Sequence, residues 1–348
     1  MIHQPEELLK RLHQDGNPVI DGNLVIFCWR GERPPDLIAD FTNWDENAPL
    51  SLEPVGNRLW AYWQEFPSDS YIEYCFIRNG RRIADPLNSR RTPNGLGKTN
   101  HFFQMPELQT NPWLRSGEPI LGKMTSHPLE TGHLLGGRQR MVHFYTPPVN
   151  KPVPLLVVLD GQDYLKRAQI PVIVDRMIAA GRIQPIALAL IENLSRYRTM
   201  EYACSEAHIG FLKYILIPYA MEHYNLVNPA RRSGSMGICG ASYGGLMALY
   251  AGLRMPTLFG KVLSQSGGFS IPENEFVVWD LIRYREALPL KIWLDCGRYE
   301  ELIDANRNMA ALLRQKMYDY QYVEYNGGHN YPSWRNHLWH GLEYLYGA

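Results

Sequence analysis

The sequence lacks three features that would place it in specialised classes of protein. None of its five cysteines forms a Cys-x-x-Cys pair, so neither a zinc site nor a disulfide framework is predicted. Lysine plus arginine balances aspartate plus glutamate at 35 each, which leaves no net charge to attract nucleic acid. No apolar stretch approaches the roughly 20 residues that cross a bilayer. We therefore expect neither a nucleic-acid partner nor a membrane partner.

The amino-acid composition is that of an ordinary globular protein. Hydrophobic residues make up 45% of the 348 residues and charged residues 20%, which excludes a disordered chain. A length of 348 residues corresponds to roughly two domains. The first 11 residues show no positive patch followed by an apolar run. We accordingly expect no signal peptide and a cytoplasmic location.

The hydrophobic pattern changes partway along the chain. Residues 1–106 contain short apolar runs separated by turn residues, which predicts an all-β immunoglobulin-like sandwich domain. Residues 107–124 are rich in proline and glycine and are interpreted as a linker. Residues 125–348 alternate buried strands with helical patterns, which predicts an α/β domain with a largely parallel sheet.

The strongest chemical signal is the sequence Gly-Ala-Ser-Tyr-Gly-Gly at residues 240–245. It follows a predicted strand and precedes a predicted helix, which is the setting of a nucleophile elbow. The turn is so tight that larger side chains two residues before or after the serine would meet the strand and helix backbones. Ser242 is therefore the predicted nucleophile, and the second domain is predicted to be an α/β-hydrolase.

A serine hydroxyl needs a base to become nucleophilic at neutral pH. In α/β-hydrolases the nucleophile, the acid and the histidine follow one another along the chain. His329 comes after two glycines, between the last predicted strand and the last predicted helix, and is the predicted base. A serine nucleophile with a histidine base predicts acyl transfer on a small-molecule ester substrate. This reaction requires no metal and no organic cofactor.

The acid partner of the histidine is expected after the predicted strand at 291–294. That segment offers four carboxylates: Asp295, Glu300, Glu301 and Asp304. We prefer Glu300 because it lies three residues past Gly297, where the chain has turned out of the strand. Glu301 and Asp304 then fall in the first turn of the following helix, where they favour the helix dipole.

The oxyanion hole is expected to use two backbone N–H groups. One belongs to Tyr243, directly after the nucleophile, and the other to the loop Leu-Asp-Gly-Gln at 159–162. The glycine in that loop permits a close backbone approach. The second donor is therefore predicted to be the N–H of Gly161 or of Gln162.

With these residues in hand, the chain resembles the enterochelin esterases, an esterase-D-like group. The shared motifs lie at 159–162, 198–201, 240–252, 263–268, 296–300 and 327–334. The resemblance implies a serine esterase that cleaves the trilactone of a catecholate siderophore to release iron. It also implies that Arg198 and Arg196 face the active-site mouth, where they would attract a ferric tris-catecholate. For Arg198 the residues alone allow an alternative, an ion pair with Glu201.

Other functions remain open at this stage, among them that of another esterase-D-like carboxylesterase. Residues 40–44 (Asp-Phe-Thr-Asn-Trp) are similar to glycogen-binding-type sandwich modules, which favours a carbohydrate esterase for feruloyl or acetyl groups. Trp44 is then either a sugar platform or a core residue. An alternative of a different class is a binding or acyl-carrier-interacting protein that has lost its active site, and the presence of Ser242 and His329 argues against it.

Overall fold

The computed structural model describes residues 4–95, 97–114, 119–271 and 274–348. The chain divides into two compact units. The N-terminal unit comprises Met1–Thr110, Gly297–Glu301 and Tyr325–Ser333, and the C-terminal unit comprises Asn111–Cys296, Leu302–Glu324 and Trp334–Ala348. The domain boundaries at 106 and 124 stay predictions. Two short segments from late in the chain, which carry Glu300 and His329, thus belong to the N-terminal unit.

The N-terminal unit is built from antiparallel strands. Its elements are α1 (Pro5–Asp15), β1 (Val19–Asp21), β2 (Leu24–Arg30), β3 (Asp36–Ala39), a 3₁₀ turn (Asp40–Thr42), β4 (Leu50–Ser51), β5 (Glu53–Gly56), β6 (Leu59–Glu65), β7 (Tyr71–Arg78), β8 (Arg81–Ile83), β9 (Arg91–Pro93) and β10 (Thr99–Gln104). One sheet has the order β1-β2-β6-β5. In the other, β7 pairs with β3, β8 and β10, while β4 pairs with β3 and β9 with β10.

Aromatic side chains from both sheets fill the space between them. The ring of Phe27 on β2 lies 5.1 Å from that of Tyr74 on β7 and 5.7 Å from that of Phe103 on β10, edge to face in both cases. Such contacts add about 0.5–1.5 kcal/mol each beyond the burial of apolar area. A tight hairpin turn joins β7 and β8, where Asn79 and Gly80 adopt φ of 51° and 68°.

The C-terminal unit holds a mostly parallel sheet with helices. Of the elements named next, residues 297–299, 325–328 and 331–333 belong to the N-terminal unit. Its elements are β11 (Lys123–Glu130), β12 (Gln139–Thr146), β13 (Leu155–Val158), α2 (Gly161–Lys166), α3 (Ile170–Ala179), β14 (Ala187–Ile191), α4 (Arg198–Tyr202), α5 (Glu206–Phe211), a π-helical turn (Leu212–Leu216), α6 (Ile217–His223), β15 (Met236–Ala241), α7 (Tyr243–Arg254), β16 (Phe259–Gln265), β17 (Ser270–Ile271), β18 (Asn274–Glu275), α8 (Val278–Arg283), β19 (Lys291–Tyr299), α9 (Ile303–Gln315), β20 (Asp319–Gly328) and α10 (Tyr331–Tyr346).

The strand order of this sheet is β11-β12-β14-β13-β15-β16-β19-β20. Strands β14, β13, β15, β16 and β19 run parallel to one another, whereas β11 and β12 form an antiparallel edge. Strands β13, β14 and β15 are buried throughout, as parallel strands covered on both faces require. The loops at their carboxyl ends include Ser242 after β15 and Gly161 after β13. The fold is that of an α/β-hydrolase preceded by a β-rich segment.

Two further observations concern the described residues as a whole. None of their helices combines the length and the apolar sequence that crossing a membrane would need. None of the five cysteines forms a disulfide.

Candidate active site

Ser242 lies in the sharp turn between β15 and α7, as the Gly-x-Ser-x-Gly sequence predicts. Its φ of 59° and ψ of −124° are unusual for a residue with a side chain and mark a strained backbone. Gly240 permits the turn, because a Cβ there would lie 2.5 Å from the carbonyl carbon of Gly244. A Cβ on Gly245 would lie 2.5 Å from Ser264 Oγ. The glycines therefore let the helix approach the sheet closely enough to form an elbow.

A second helix, α2, begins after β13, at the same carboxyl-terminal edge of the sheet as the elbow. Asp160 adopts a left-handed φ of 54°, and α2 begins at Gly161. A Cβ on Gly161 would lie 2.5 Å from Leu190 C and 2.7 Å from Ile191 N, so only glycine fits. At the first turn of a helix the backbone N–H groups have no intrahelical carbonyl to donate to. Gly161 at the start of α2 and Tyr243 at the start of α7 both occupy this position.

Gln162, the alternative donor, has a structural contact of its own. Its Oε1 accepts a hydrogen bond from Asn193 N at 3.0 Å, which ties the loop after β13 to the loop after β14. Asn193 Nδ2 in turn donates to Asp160 Oδ1 at 2.6 Å. These contacts fix the backbone around Gly161.

Arg198 contacts this same loop and not Glu201. Its Nε donates to Asp160 Oδ1 at 2.8 Å and its Nη2 to Asp160 Oδ2 at 2.6 Å, a bidentate pair with a buried carboxylate. Nη2 also lies 3.3 Å from the carbonyl oxygen of Ala241, the residue before the nucleophile. Arg198 therefore links the loop after β13 to the elbow within the C-terminal unit.

The alternative ion pair between Arg198 and Glu201 is wrong. Glu201 is buried and pairs with the buried Arg140, whose Nη2 and Nη1 lie 2.8 Å and 3.1 Å from its two carboxylate oxygens. Sequence proximity suggested the nearer partner, but a buried arginine from β12 already neutralises this carboxylate. Arg196 is exposed, and its guanidinium lies 4.5 Å from the ring centroid of Tyr197.

His329 and Glu300 meet in the N-terminal unit. Nδ1 of the imidazole lies 2.5 Å from Glu300 Oε2, and the other carboxylate oxygen accepts from Gly297 N at 2.6 Å. The carboxylate is almost fully buried, whereas the imidazole is partly exposed. A carboxylate on Nδ1 fixes the tautomer and the orientation of the ring, and leaves Nε2 as the nitrogen that can exchange protons.

The other three candidate acids have different surroundings. Asp295 is fully buried and accepts hydrogen bonds from Trp293 Nε1 at 2.8 Å and Gln265 Nε2 at 3.1 Å. Glu301 and Asp304 are exposed. Of the four carboxylates, Glu300 is the one that the structure brings to His329 Nδ1.

Sequence reasoning gave Asp40 no role, yet it lies beside the histidine loop. Its buried carboxylate accepts hydrogen bonds from Glu73 N at 2.7 Å, Trp44 Nε1 at 3.1 Å and Asn330 Nδ2 at 3.2 Å. Burial raises the pKa of Asp40 well above its usual range, and the nearby negative charge of Glu73 adds to this. The motif at 40–44 contains Asp40, but the sequence interpretation of this motif considered only Trp44.

Metal ligation has no support among the residues that the structure describes. No group of three histidine, cysteine, aspartate or glutamate side chains in those ranges forms a metal-binding cluster.

The fold and the elbow at Ser242 define the class of this protein, a hydrolase of the α/β-hydrolase fold. The model of the family named Esterase matches residues 134–345, more than half of the chain, and the chain belongs to that family. It is an ester hydrolase. The match begins at residue 134, shortly before β12, so it covers the C-terminal part and not the N-terminal strands.

Individual relatives extend the likeness further. The chain is 29% identical over 286 residues to the iron(III) enterobactin esterase of Dickeya dadantii, covering 76% of this chain and 65%, just under two thirds, of that protein. It is 26% identical over 364 residues to the iron(III) enterobactin esterase of Escherichia coli K12, covering 91% and 90%. The solved ferric enterobactin esterase of Salmonella typhimurium has the same fold, with a TM-score of 0.78, 24% identity and coverage of 92% and 93%. The predicted resemblance to enterochelin esterases is confirmed.

Proposed function

We propose that this esterase cleaves the ester bonds of a catecholate siderophore trilactone of the enterobactin type and thereby releases its iron. The observation that carries this proposal is the extent of the likeness to enterobactin esterases. A simple esterase would match the C-terminal part alone, whereas the Escherichia coli relative matches 91% of this chain. The N-terminal strands are thus part of what this chain shares with enzymes of that name.

In the proposed mechanism Ser242, His329 and Glu300 act as a catalytic triad. His329 Nε2 takes the hydroxyl proton as Ser242 Oγ forms a bond to the ester carbonyl carbon. The C–O ester bond then breaks, and the imidazolium returns its proton to the leaving alkoxide. Water attacks the acyl-enzyme with the same base, which releases the acid and restores the serine. Glu300 stabilises the imidazolium, and its 2.5 Å contact with Nδ1 supports this role.

The oxyanion of each tetrahedral intermediate is assigned to backbone N–H groups. Tyr243 and Gly161 supply the donors in this proposal, because both begin helices at the ends of neighbouring strands. Gln162 is the alternative to Gly161. Removing one such donor typically lowers turnover by roughly 10²–10³.

The remaining assignments belong to the same proposal. The reaction takes place in the cytoplasm, after uptake of the ferric siderophore, and the absence of disulfides among the five cysteines is compatible with a reducing compartment. The N-terminal strands constitute an immunoglobulin-like sandwich, which their two antiparallel sheets support. Of the two arginines that the resemblance places at the active-site mouth, the exposed Arg196 is the candidate contact for a negatively charged substrate, whereas Arg198 is proposed to act through its pair with Asp160.

The experiment is product analysis by liquid chromatography with mass detection. Wild-type protein and Ser242→Ala are incubated with ferric enterobactin, iron-free enterobactin, methyl ferulate and an acetylated xylo-oligosaccharide. We expect dihydroxybenzoylserine to form with the wild type alone. Release of ferulate or acetate without any siderophore product would overturn the proposal and assign the protein to carbohydrate esters.

A further inference from the structure

A second chain of serine, histidine and glutamate side chains lies on the antiparallel edge of the sheet in the C-terminal unit. Ser126 on β11 and His143 on β12 are opposite each other, with Ser126 Oγ 2.7 Å from His143 Nδ1. The other ring nitrogen, Nε2, lies 2.9 Å from Oε1 of Glu192, the residue that follows β14. Residues of these three types, linked in this order, are those of a catalytic triad. None of the three belongs to the triad described above.

The pairing of the strands sets the geometry of this chain. Ser126 and His143 are direct cross-strand partners, and His143 is in turn the partner of Leu190 on β14. The Cβ atoms of such partners are about 4.5–5.5 Å apart, which allows a serine to reach an imidazole. Glu192 is two positions beyond Leu190 and therefore lies on the same face of the sheet. Its backbone N–H donates to the carbonyl oxygen of Met141 at 3.0 Å, which holds it beside β12.

The carboxylate decides which ring nitrogen carries the hydrogen. A carboxylate can only accept hydrogen bonds, so Nε2 of the neutral ring is protonated and donates to Glu192. Nδ1 then has no hydrogen and accepts the hydrogen bond of the Ser126 hydroxyl. The hydroxyl therefore directs its proton at a base, which is what a serine needs to become nucleophilic. Compared with His329 the two ring nitrogens exchange roles, since there the carboxylate lies on Nδ1.

The exposure of the three side chains suits a reaction with a molecule from solvent. Ser126 is exposed, whereas the imidazole is 13% exposed and the side chain of Glu192 is 34% exposed. The nucleophile is thus accessible, and the base is largely shielded from water, which strengthens its contact with the carboxylate. In the described part of the chain β11 ends its sheet, so alternate backbone N–H groups along it face outward and can donate to an oxyanion.

We propose that Ser126 is a second acyl acceptor, which takes the acyl group of small uncharged esters independently of Ser242. Ser126 Oγ forms a bond to the ester carbonyl carbon while its proton passes to His143 Nδ1. The bond from that carbon to the leaving oxygen then breaks, and the imidazolium returns the proton to the leaving group. Glu192 stabilises the imidazolium, and its charge disfavours an anionic ester. The products are an O-acylated Ser126 and a free alcohol, and this inference does not depend on the siderophore function.

Acetylation by p-nitrophenyl acetate tests the site in the Ser242→Ala protein, where the elbow serine cannot react. The protein is digested after timed exposure, and mass spectrometry measures the acetylated fraction of each serine. Ser51 is the internal reference, because it is exposed and its hydroxyl donates to a carboxylate, that of Asp36, instead of an imidazole. We expect Ser126 to react about a hundredfold faster than Ser51, at the lower end of the gain from general-base catalysis. Equal rates would overturn the proposal.

Two variants separate activation by the imidazole from mere exposure of the serine. His143→Gln keeps a polar side chain but has no base, so the ratio of the Ser126 rate to the Ser51 rate should fall to about one. In Glu192→Gln the amide oxygen still accepts from Nε2, but the charge that stabilises the imidazolium is gone, and we expect a fall of about tenfold. This second variant carries the test if His143→Gln does not fold. An unchanged ratio in a folded variant of either kind would mean that exposure alone makes Ser126 reactive, which contradicts the proposal.

Discussion

Asn330 donates a side-chain hydrogen bond to Asp40 Oδ2 at 3.2 Å, which ties the residue after the candidate base to the end of β3. The residue before it is held as well, because Gly328 lies so close to the carboxyl carbon of Asp40 that a Cβ would collide with it. His329 is thus flanked on both sides by contacts with one buried carboxylate. The N-terminal strands therefore help to set the position of the imidazole.

Two substitutions of Asn330 separate this contact from a second role. Asn330 Oδ1 also accepts from Ser333 N at 2.9 Å, which caps the start of α10. Asn330→Ser keeps a capping oxygen but is too short to reach Asp40, whereas Asn330→Ala loses both contacts. We expect both variants to lower kcat about tenfold, and Asn330→Ala to lose about 1 kcal/mol more unfolding free energy than Asn330→Ser, because it also lacks the cap. Steady-state kinetics and urea titration measure the two effects.

A wild-type kcat in Asn330→Ser, with the fold intact, would mean that the contact with Asp40 has no bearing on catalysis. The comparison is robust because the two variants differ in a single oxygen atom. A loss of activity in Asn330→Ala alone would assign the effect to the helix cap.

Removal of the base is expected to cost more than removal of its acid partner. His329→Ala loses the proton acceptor, and kcat falls by roughly 10²–10⁴. Glu300→Ala leaves the imidazole in place but without its 2.5 Å partner on Nδ1, so a smaller fall is expected. The measurement is single-turnover acylation of Ser242 with each variant. Asp304→Ala, which removes an exposed carboxylate of α9, is the matched control.

Equal losses in the two variants would contradict this expectation. The carboxylate would then be indispensable and the three residues would act as one unit, as cooperative triads do.

Arg198 is expected to act on turnover more than on substrate affinity. In Arg198→Lys the charge remains, but one nitrogen replaces the fork that binds both oxygens of Asp160. The backbone at Gly161 then loses a constraint, and kcat should fall about tenfold to a hundredfold. The fall should be the same for neutral p-nitrophenyl acetate and for the anionic ferric trilactone. Arg285→Lys, an exposed arginine of the same unit, provides the control.

A rise in KM for the anionic substrate alone, with kcat unchanged, would contradict this expectation. Arg198 would then contact substrate directly, as the family resemblance implies, and its pair with Asp160 would be secondary.

Local patterns predicted the C-terminal fold and the elbow because their causes are local. A buried parallel strand needs a continuous apolar run, and a tight strand-to-helix turn needs glycines at 240 and 244, so both are visible in a short window. Glu300 was preferred over its neighbours for a similar reason. Its position three residues after Gly297 lets its carboxylate turn back and accept a hydrogen bond from Gly297 N.

Contacts between distant segments were beyond such reasoning. The partner of Arg198 is 38 positions away and that of Glu201 is 61 positions away, and nothing in the spacing of the residues indicates either pair. Asp40 and Asn330 are separated by 290 positions. The sequence around each of these residues is compatible with a surface role, and only the folded arrangement shows that the carboxylates are buried.

The last prediction concerns pH and a histidine outside the candidate site. His208 is fully buried, with its ring 5.3 Å from that of Tyr202, and neither ring nitrogen has a hydrogen-bond partner within the described residues. Burial, with a smaller contribution from Arg140, lowers its pKa from the ordinary 6.5 to about 3. Between these values the unfolded chain binds a proton that the folded chain does not. Stability must therefore fall as the pH drops through this window.

His208→Phe removes this dependence, since phenylalanine has no proton to bind and suits a site beside Tyr202 and Phe211. Each pH unit below 6.5 costs wild type about 1.4 kcal/mol, or about 2 kcal/mol at pH 5. We therefore expect wild type to lose about 2 kcal/mol more unfolding free energy than His208→Phe between pH 7 and pH 5. Urea titrations at the two pH values measure it, with His13→Gln as an exposed control. Parallel losses in variant and wild type would mean that His208 is already protonated in the folded protein at pH 5.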